Sequence, residues 1–406
     1  MVWTEAEFRE ARAKVVAALA VRLRDLDLAE DAFAEACALA VEAWRREPPA
    51  DPSAWLYRTG WRKALDAIRR ARTRQAALLD APEPEPTPED LAMRSDDPIP
   101  DERLRLIFVC CHPAIAPDAR AALTLKVVCG LSTARLARAF LTGEPAMLQR
   151  ITRAKRKIRD AGVSFEVPPR AAWPERIEAV LTTLEIAYAQ AYEDAAGASD
   201  AAGFAAEVLR LSGLLAELLP HEPEVLALAA LARFAEARRP ARLDDVGAMT
   251  PLSEQDVSQW RSDMIDEGAQ LLDRAAEARR TGPYQLMAAI HAAHLSRRDT
   301  GTTPWPDILA LYDALLTLRP NAVVAVNRAV ALGEARGAAA GLEALEAIPR
   351  DGRLEDWLPY QAARGALCRQ AGRLSEAREA LARALALGPS PAERLFLERR
   401  LAELGP

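Results

Sequence analysis

"LSTARLARAFLTGEPAMLQRITRAKRKIRD", residues 131–160, is the stretch from which the rest of the chain is best read. A helical pattern over Ser132–Phe140 and another beginning near Pro145 are separated by a Thr142-Gly143 turn. A preceding helix closes at Gly130, so the order is helix, glycine turn, short helix, glycine turn, long helix. Pro145 suits the first turn of a helix, where its missing N–H costs nothing. This arrangement is a helix-turn-helix, whose second helix enters the major groove of duplex DNA. Here that helix carries six bases (Arg150, Arg153, Lys155, Arg156, Lys157, Arg159) and no acid from Ala146 to Arg159. On this reading Glu144, Ala146, Met147, Gln149 and Arg150 face base edges, while Arg153, Lys155, Arg156 and Lys157 neutralise phosphates. A solvated basic face is the plainer alternative.

The basic helix stands in an acidic chain. Of 406 residues, 53 are Lys or Arg and 59 are Asp or Glu. Residues 1–160 hold 27 bases against 24 acids, whereas residues 161–406 hold 26 against 35. Within the first part the charges come in blocks. Trp55–Arg74 has seven bases against Asp66, Asp80–Glu102 has nine acids against Arg94, and the helix after Pro145 is basic again. Such blocks mark contacts with polyelectrolytes.

Half the chain is hydrophobic with only 5% aromatics, and its Ala, Leu, Arg and Glu favour helix nearly everywhere. No apolar run approaches the roughly 18 residues of a membrane span. The charged start "MVWTEAEFREARAK" lacks a signal core, and five irregularly spaced cysteines argue against a disulfide framework. A reducing, cytoplasmic setting is therefore expected.

Residues 4–46 read as helices, with apolar spacing near 3.6 at Val15, Leu19 and Leu23 and again at Phe33, Cys37, Val41 and Trp44. "EPPADPS" (Glu47–Ser53) breaks the pattern, and Asp51-Pro52 starts the next helix as cap and first-turn proline. That helix interleaves Trp55, Tyr57 and Trp61 with Arg58, Arg62, Lys63, Arg69 and Arg70. Aromatics beside bases suit stacking on splayed single-stranded bases, but tryptophans at helical spacing equally suit a core. Asp80–Glu102, with six prolines, reads as a linker that cannot fold alone. Arg103 to about Gly162 forms a compact helical unit. The remainder is Ala/Leu-rich helix pairs, and Tyr360–Leu401 and Leu311–Gly337 have the look of tetratricopeptide units stacking into a solenoid. An irregular all-α domain is the alternative there.

Together these segments resemble the extracytoplasmic-function (ECF) sigma factors of bacterial RNA polymerase. Leu26–Arg74 is similar to their second domain in its acidic "LAEDAF" helix, its "PSAWL" start and its "ALDAIRR" helix. "CGLSTARLARAF" and "RITRAKRKI" are similar to their fourth domain. "IPDERLRLIFVCCHPAIAPDARAALTL", "GPYQLMAAIHAAH" and "VNRAVA" match a subgroup with a long tetratricopeptide-like C-terminal extension.

The resemblance implies an all-α, non-catalytic protein without cofactor or metal. Its parts would be sigma domain 2 over 1–76, an acidic linker over 77–102, sigma domain 4 over 103–162 and the extension over 170–406. Glu30, Asp31, Glu35 and Trp44 would dock on core RNA polymerase. The Glu47–Ser53 loop and following helix, with Ser53, Trp55, Arg58, Arg62, Lys63, Arg69 and Arg70, would melt and read the −10 element. Glu144, Met147, Gln149, Arg150, Arg153, Lys155, Arg156 and Lys157 would serve the −35 element. The linker would thread the polymerase RNA channel, and a regulatory protein could engage the extension. Ala189-Gln190-Ala191-Tyr192 keeps only the tyrosine of the subgroup's Asn-Glu-Gly-Tyr motif, and Arg135, Gly143 and Pro145 also depart from its pattern.

A conventional helix-turn-helix regulator with a tetratricopeptide-like sensor would need neither the aromatic-basic helix nor the acidic linker. Cys110, Cys111, His112 and Cys129 lack the paired spacing of a zinc site and read as packed core thiols. His291 and His294 lie three apart without an accompanying carboxylate motif, so neither metal nor catalysis is expected of them.

Overall fold

The computed structural model describes residues 5–45, 49–79, 102–140, 142–194, 201–349 and 354–405. Residues 80–101 of the expected linker, and residues 46–48 at the start of the loop, lie outside them; 77–79 are helical. Among the described residues there is no β-strand, only an isolated bridge between Leu243 and Met249, so the fold is all-α. The chain forms two compact units, Met1–Ala187 and Tyr188–Pro406.

The first unit opens with α1 (Glu5–Leu23), α2 (Leu26–Ala43) and α3 (Pro52–Leu79). Arg24 turns the chain between α1 and α2 at φ 54°, and Asp25 caps α2 by accepting from the backbone N–H of Asp27 and Leu28 at 2.9 and 3.0 Å. α2 buries Leu26, Ala29, Ala32, Phe33, Ala36 and Ala40 as one stripe; of the apolar series Phe33, Cys37, Val41 and Trp44 only Phe33 is in it, because small alanines allow the close approach to α1 and α3. Asp51 starts α3 as its sequence signals, with Oδ1 accepting from Ala54 N–H at 2.9 Å. Gly60 lets α3 approach its neighbours, since a Cβ there would stand 3.0 Å from Leu19 Cδ1 and 3.4 Å from the Ala32 carbonyl oxygen.

α4 (Arg103–Cys110) and α5 (Pro117–Val127) follow, then α6 (Thr133–Ala139) and α7 (Glu144–Asp160). Gly130, at φ 75°, makes the turn before α6. Pro145 sits in the first turn of α7, as its fixed φ and missing N–H favour. Cys110, Cys111 and Cys129 are buried and free, and Cys111 Sγ lies 3.3 Å from Thr124 Oγ1. Burial raises the pKa of Cys110 and Cys111, which keeps both as neutral thiols packed in the core.

The compact unit does not end with α7. α8 (Trp173–Asp194) stacks Trp173 on Phe108, with ring centres 6.4 Å apart, and buries Ile177, Val180, Leu181 and Leu184. The unit boundary therefore falls at Ala187, inside a helix, because the first turns of α8 complete this core. The Ala189–Tyr192 segment is helical, and its side chains lie outside the description.

The second unit is a succession of helices, each packed on its sequence neighbours. They are α9 (Ala201–Leu218), α10 (Pro223–Ala237), α11 (Ser262–Glu277), α12 (Pro283–Leu295), α13 (Trp305–Leu318), α14 (Ala322–Arg336), α15 (Ala338–Glu346), α16 (Leu358–Gln370), α17 (Leu374–Ala386) and α18 (Pro391–Glu403). The "GPYQL" motif has a structural explanation here. Glu224 accepts from the N–H groups of Tyr284 and Gln285 at 2.9 and 3.2 Å, so a carboxylate caps the start of α12. A Cβ at Gly282 would fall 2.2 Å from Glu224 Cδ, so any side chain there would push the carboxylate out of this cap.

His291 and His294 are interior groups of this unit. The Arg238 guanidinium donates to His291 Nδ1 at 2.9 Å, and His294 meets Trp305 edge-on at 5.2 Å. Burial, then the Arg238 charge, lowers both pKa values, that of His294 to about 4.

Candidate nucleic-acid interface

α7 has one apolar face and one charged face. Met147, Ile151, Ala154 and Ile158 recur at steps of three and four residues and are buried, which pins the helix against α5 and α6. Glu144, Gln149, Arg153, Arg156 and Lys157 are exposed on the rest of its surface. Arg150 is half-buried, its guanidinium 5.9 Å from the centre of the Phe140 ring.

Two sequence expectations for this helix fail. Met147 is 0% exposed and so cannot face a base edge; it belongs to the apolar stripe. Exposed Ala146 and Leu148 flank it instead. Lys155 is not an open phosphate contact either, since its side chain is 13% exposed. Its ammonium donates to Asp27 Oδ1 at 2.7 Å and to Glu30 Oε2 at 2.6 Å, both on α2. Burial alone would lower its pKa, but Glu30 and Asp27 outweigh that and hold it above the ordinary lysine value. Arg159 lies 3.9 Å from the second Asp27 oxygen.

Glu30 therefore differs from its neighbours on α2. Only 16% exposed, it is bound on one side by Lys155 and on the other by Arg12 of α1, whose guanidinium donates to Glu30 Oε1 at 2.8 Å. The same guanidinium donates to the Val127 carbonyl at 3.3 Å, at the C-terminal end of α5, where helix carbonyls lack intrahelical partners. This placement removes Glu30 from any outward docking surface. Asp31 and Glu35 do face solvent, together with Leu39, Val41 and Glu42, giving α2 an acidic face with apolar patches. Trp44 is half-buried, edge-on to Trp55 with ring centres 5.5 Å apart.

On α3 the aromatics pack into the structure. Trp61 is 6% exposed beneath the Arg22 guanidinium, 4.1 Å from its ring centre, and so does not offer a stacking platform for a base. Trp55 and Tyr57 are half-buried, and Arg22 donates to the Tyr57 hydroxyl at 3.5 Å. Ser53, Arg58 and Lys63 are half-buried, with Lys63 3.9 Å from Glu35. Arg62, Arg69, Arg70 and Arg72 are exposed, and they form the basic surface of α3. Sequence reasoning missed Arg12 and Asp27. The available signal was Asp27 and Glu30 at i and i+3, which puts two carboxylates on one face of α2.

Residues 8–74 match sigma-70 region 2, and residues 176–276 match a family of unknown function (DUF6596). The chain is 40% identical over 416 residues to an uncharacterised protein of Rhizobium meliloti (strain 1021), covering 99% of this chain and 96% of that one. No solved structure matches. The chain therefore carries a sigma-70 region 2 near its N-terminus and the DUF6596 family in its C-terminal part. That order is consistent with an ECF-like sigma factor bearing a C-terminal extension. Sigma-70 proteins are transcription factors rather than enzymes, and that family binds core RNA polymerase and promoter DNA. No helix among the described residues is long and apolar enough to cross a membrane.

Proposed function

We propose that this protein is an ECF-type sigma factor that directs core RNA polymerase to promoters and is regulated through its C-terminal extension. The observation that carries the reading is the pairing of two basic helices, α3 and α7, with the region 2 match over residues 8–74. α2 docks on the polymerase through Asp31 and Glu35, with Leu39 and Glu42 beside them. α3 works at the −10 element through Arg62, Arg69 and Arg70, supported by Ser53, Arg58, Lys63 and the Trp44–Trp55 pair. α7 reads the −35 element as duplex, with Glu144, Gln149 and Arg150 towards bases and Arg153, Arg156 and Lys157 on phosphates. The acidic segment before Glu102 is a tether suited to a basic channel. The extension, with its neighbour-on-neighbour helix packing, is a tetratricopeptide-like platform for a regulatory protein.

The test is run-off transcription with purified bacterial core polymerase on DNA upstream of the protein's own gene, with core binding measured in the same samples. A discrete transcript that needs both components supports the reading. Failure to bind core polymerase refutes it and leaves a regulator that acts on duplex DNA alone.

A further inference from the structure

We propose that the carboxylates of Asp27 and Glu30 act as an internal phosphate mimic, clasping Lys155 and Arg159 so that free protein and promoter DNA compete for the end of α7. The inference rests on the reading of α7 as a DNA-binding helix and adds a device that holds it in check. Asp27 and Glu30 give Lys155 what a DNA backbone would give: two anionic oxygens, at 2.7 and 2.6 Å. Arg159 shares Asp27. The clasp is anchored at its far side, because Arg12 ties Glu30 to the last carbonyls of α5 and is itself only 15% exposed. One charge network thus runs from α1 through α2 to α5 and α7.

The same features make the clasp releasable. Taking a lysine and two carboxylates partly out of water costs much of what their attraction returns, so such a network specifies an arrangement more than it stabilises one. The seam is also loosely filled. A cavity of about 350 Å³ opens beside the cluster, lined by Arg24, Asp27, Lys155, Ile158, Arg159 and Phe165, with room for water. Exchanging carboxylate for phosphate oxygens around Lys155 is then close to an even trade, which a duplex adds to by engaging Arg153, Arg156 and Lys157. Core polymerase shifts the balance only as far as it binds the released form more tightly.

The experiment uses the full chain and the variants Asp27→Asn, Asp27→Glu and Asp118→Asn. Asp118 is exposed on α5, outside the network, and matches the change in charge. Acylation of Lys155 and of exposed Lys157 is read by mass spectrometry. Affinity for a random-sequence 30-base-pair duplex at low salt is read by fluorescence anisotropy, without and with core polymerase.

Lys155 is expected to react far more slowly than Lys157 in the wild type and in Asp27→Glu, and to be released in Asp27→Asn. Without polymerase, Asp27→Asn is expected to bind duplex on the order of fivefold to tenfold more tightly than Asp118→Asn. Equal reactivity of Lys155 and Lys157 in the wild type overturns the inference. So does release of Lys155 in Asp27→Asn without tighter duplex binding, which leaves α7 as a DNA helix. Absence of duplex binding by every variant, with or without polymerase, overturns the underlying reading of α7 as well.

Discussion

Met147 separates two accounts of α7, and its truncation to alanine tests them. If it is core, Met147→Ala removes three heavy atoms from a site with no solvent exposure, in a stripe with Ile151, Ala154 and Ile158. The cost is the lost transfer free energy plus that of a cavity, about 2–5 kcal/mol for a buried methionine. In a unit of this size each kcal/mol lowers the melting midpoint by about 2–4 °C, so a fall of roughly 4–20 °C is expected. Met147→Leu keeps the volume and is expected to cost less than about 1.5 kcal/mol. The assay is urea unfolding of the full chain with hydrogen exchange at the α5–α7 amides, which localises the loss to this unit. A surface residue reading a base would give a different pattern. If Met147→Ala changes stability by less than about 0.5 kcal/mol and alters which duplex the holoenzyme prefers, burial of Met147 is refuted.

Other outcomes follow from the same geometry. Arg153→Ala, on the exposed face of α7, should weaken holoenzyme binding across promoters and reduce the salt slope by about one unit in a titration of affinity against salt. Charge reversal at Asp31 and Glu35 should weaken binding to core polymerase in a pull-down while leaving the melting midpoint unchanged. Gly282→Ala should destabilise the second unit by about 1–3 kcal/mol in thermal melts, because its methyl group displaces the Glu224 carboxylate that caps α12. His294 gives a pH dependence. Its folded pKa, about 4, lies below its ordinary 6.5, so the unfolded chain binds the extra proton. The contribution is present above pH 6.5 and is lost as pH falls towards 4; it reaches at most about 3 kcal/mol. His294→Gln should flatten that part of the stability profile measured by urea unfolding.

Much of the architecture is legible from local chemistry. Asp51-Pro52, Gly130 and Pro145 act within a turn of where they stand, so a cap, a left-handed turn or a first-turn proline can be read where it occurs. The period of α2 marks a helix but not its buried stripe, which runs through Ala29, Ala32, Phe33, Ala36 and Ala40, while Val41 of the apolar series is 66% exposed. The base, acid, base blocks are visible because net charge along a segment needs no partner to be counted. The "GPYQL" motif was legible as a motif but not as a cap. The carboxylate that explains it lies 60 residues away from Tyr284.

The same limit governs the candidate site. Sequence alone establishes that α7 is basic and that α2 carries acids. Lys155, Arg156 and Lys157 are interchangeable on any scale of polarity, and nothing local marks the first as the buried one. Its partners Glu30 and Asp27 stand 125 and 128 residues earlier, so its burial becomes tolerable only when folding brings α2 against α7. Trp61 and Met147 fall under the same rule from the apolar side: a large side chain beside bases can cover a core or meet a base. Helix formation is decided within a few residues by backbone hydrogen bonding and caps. Which face of a helix loses its water is decided by what packs on it, and for this protein only the tertiary structure supplied that.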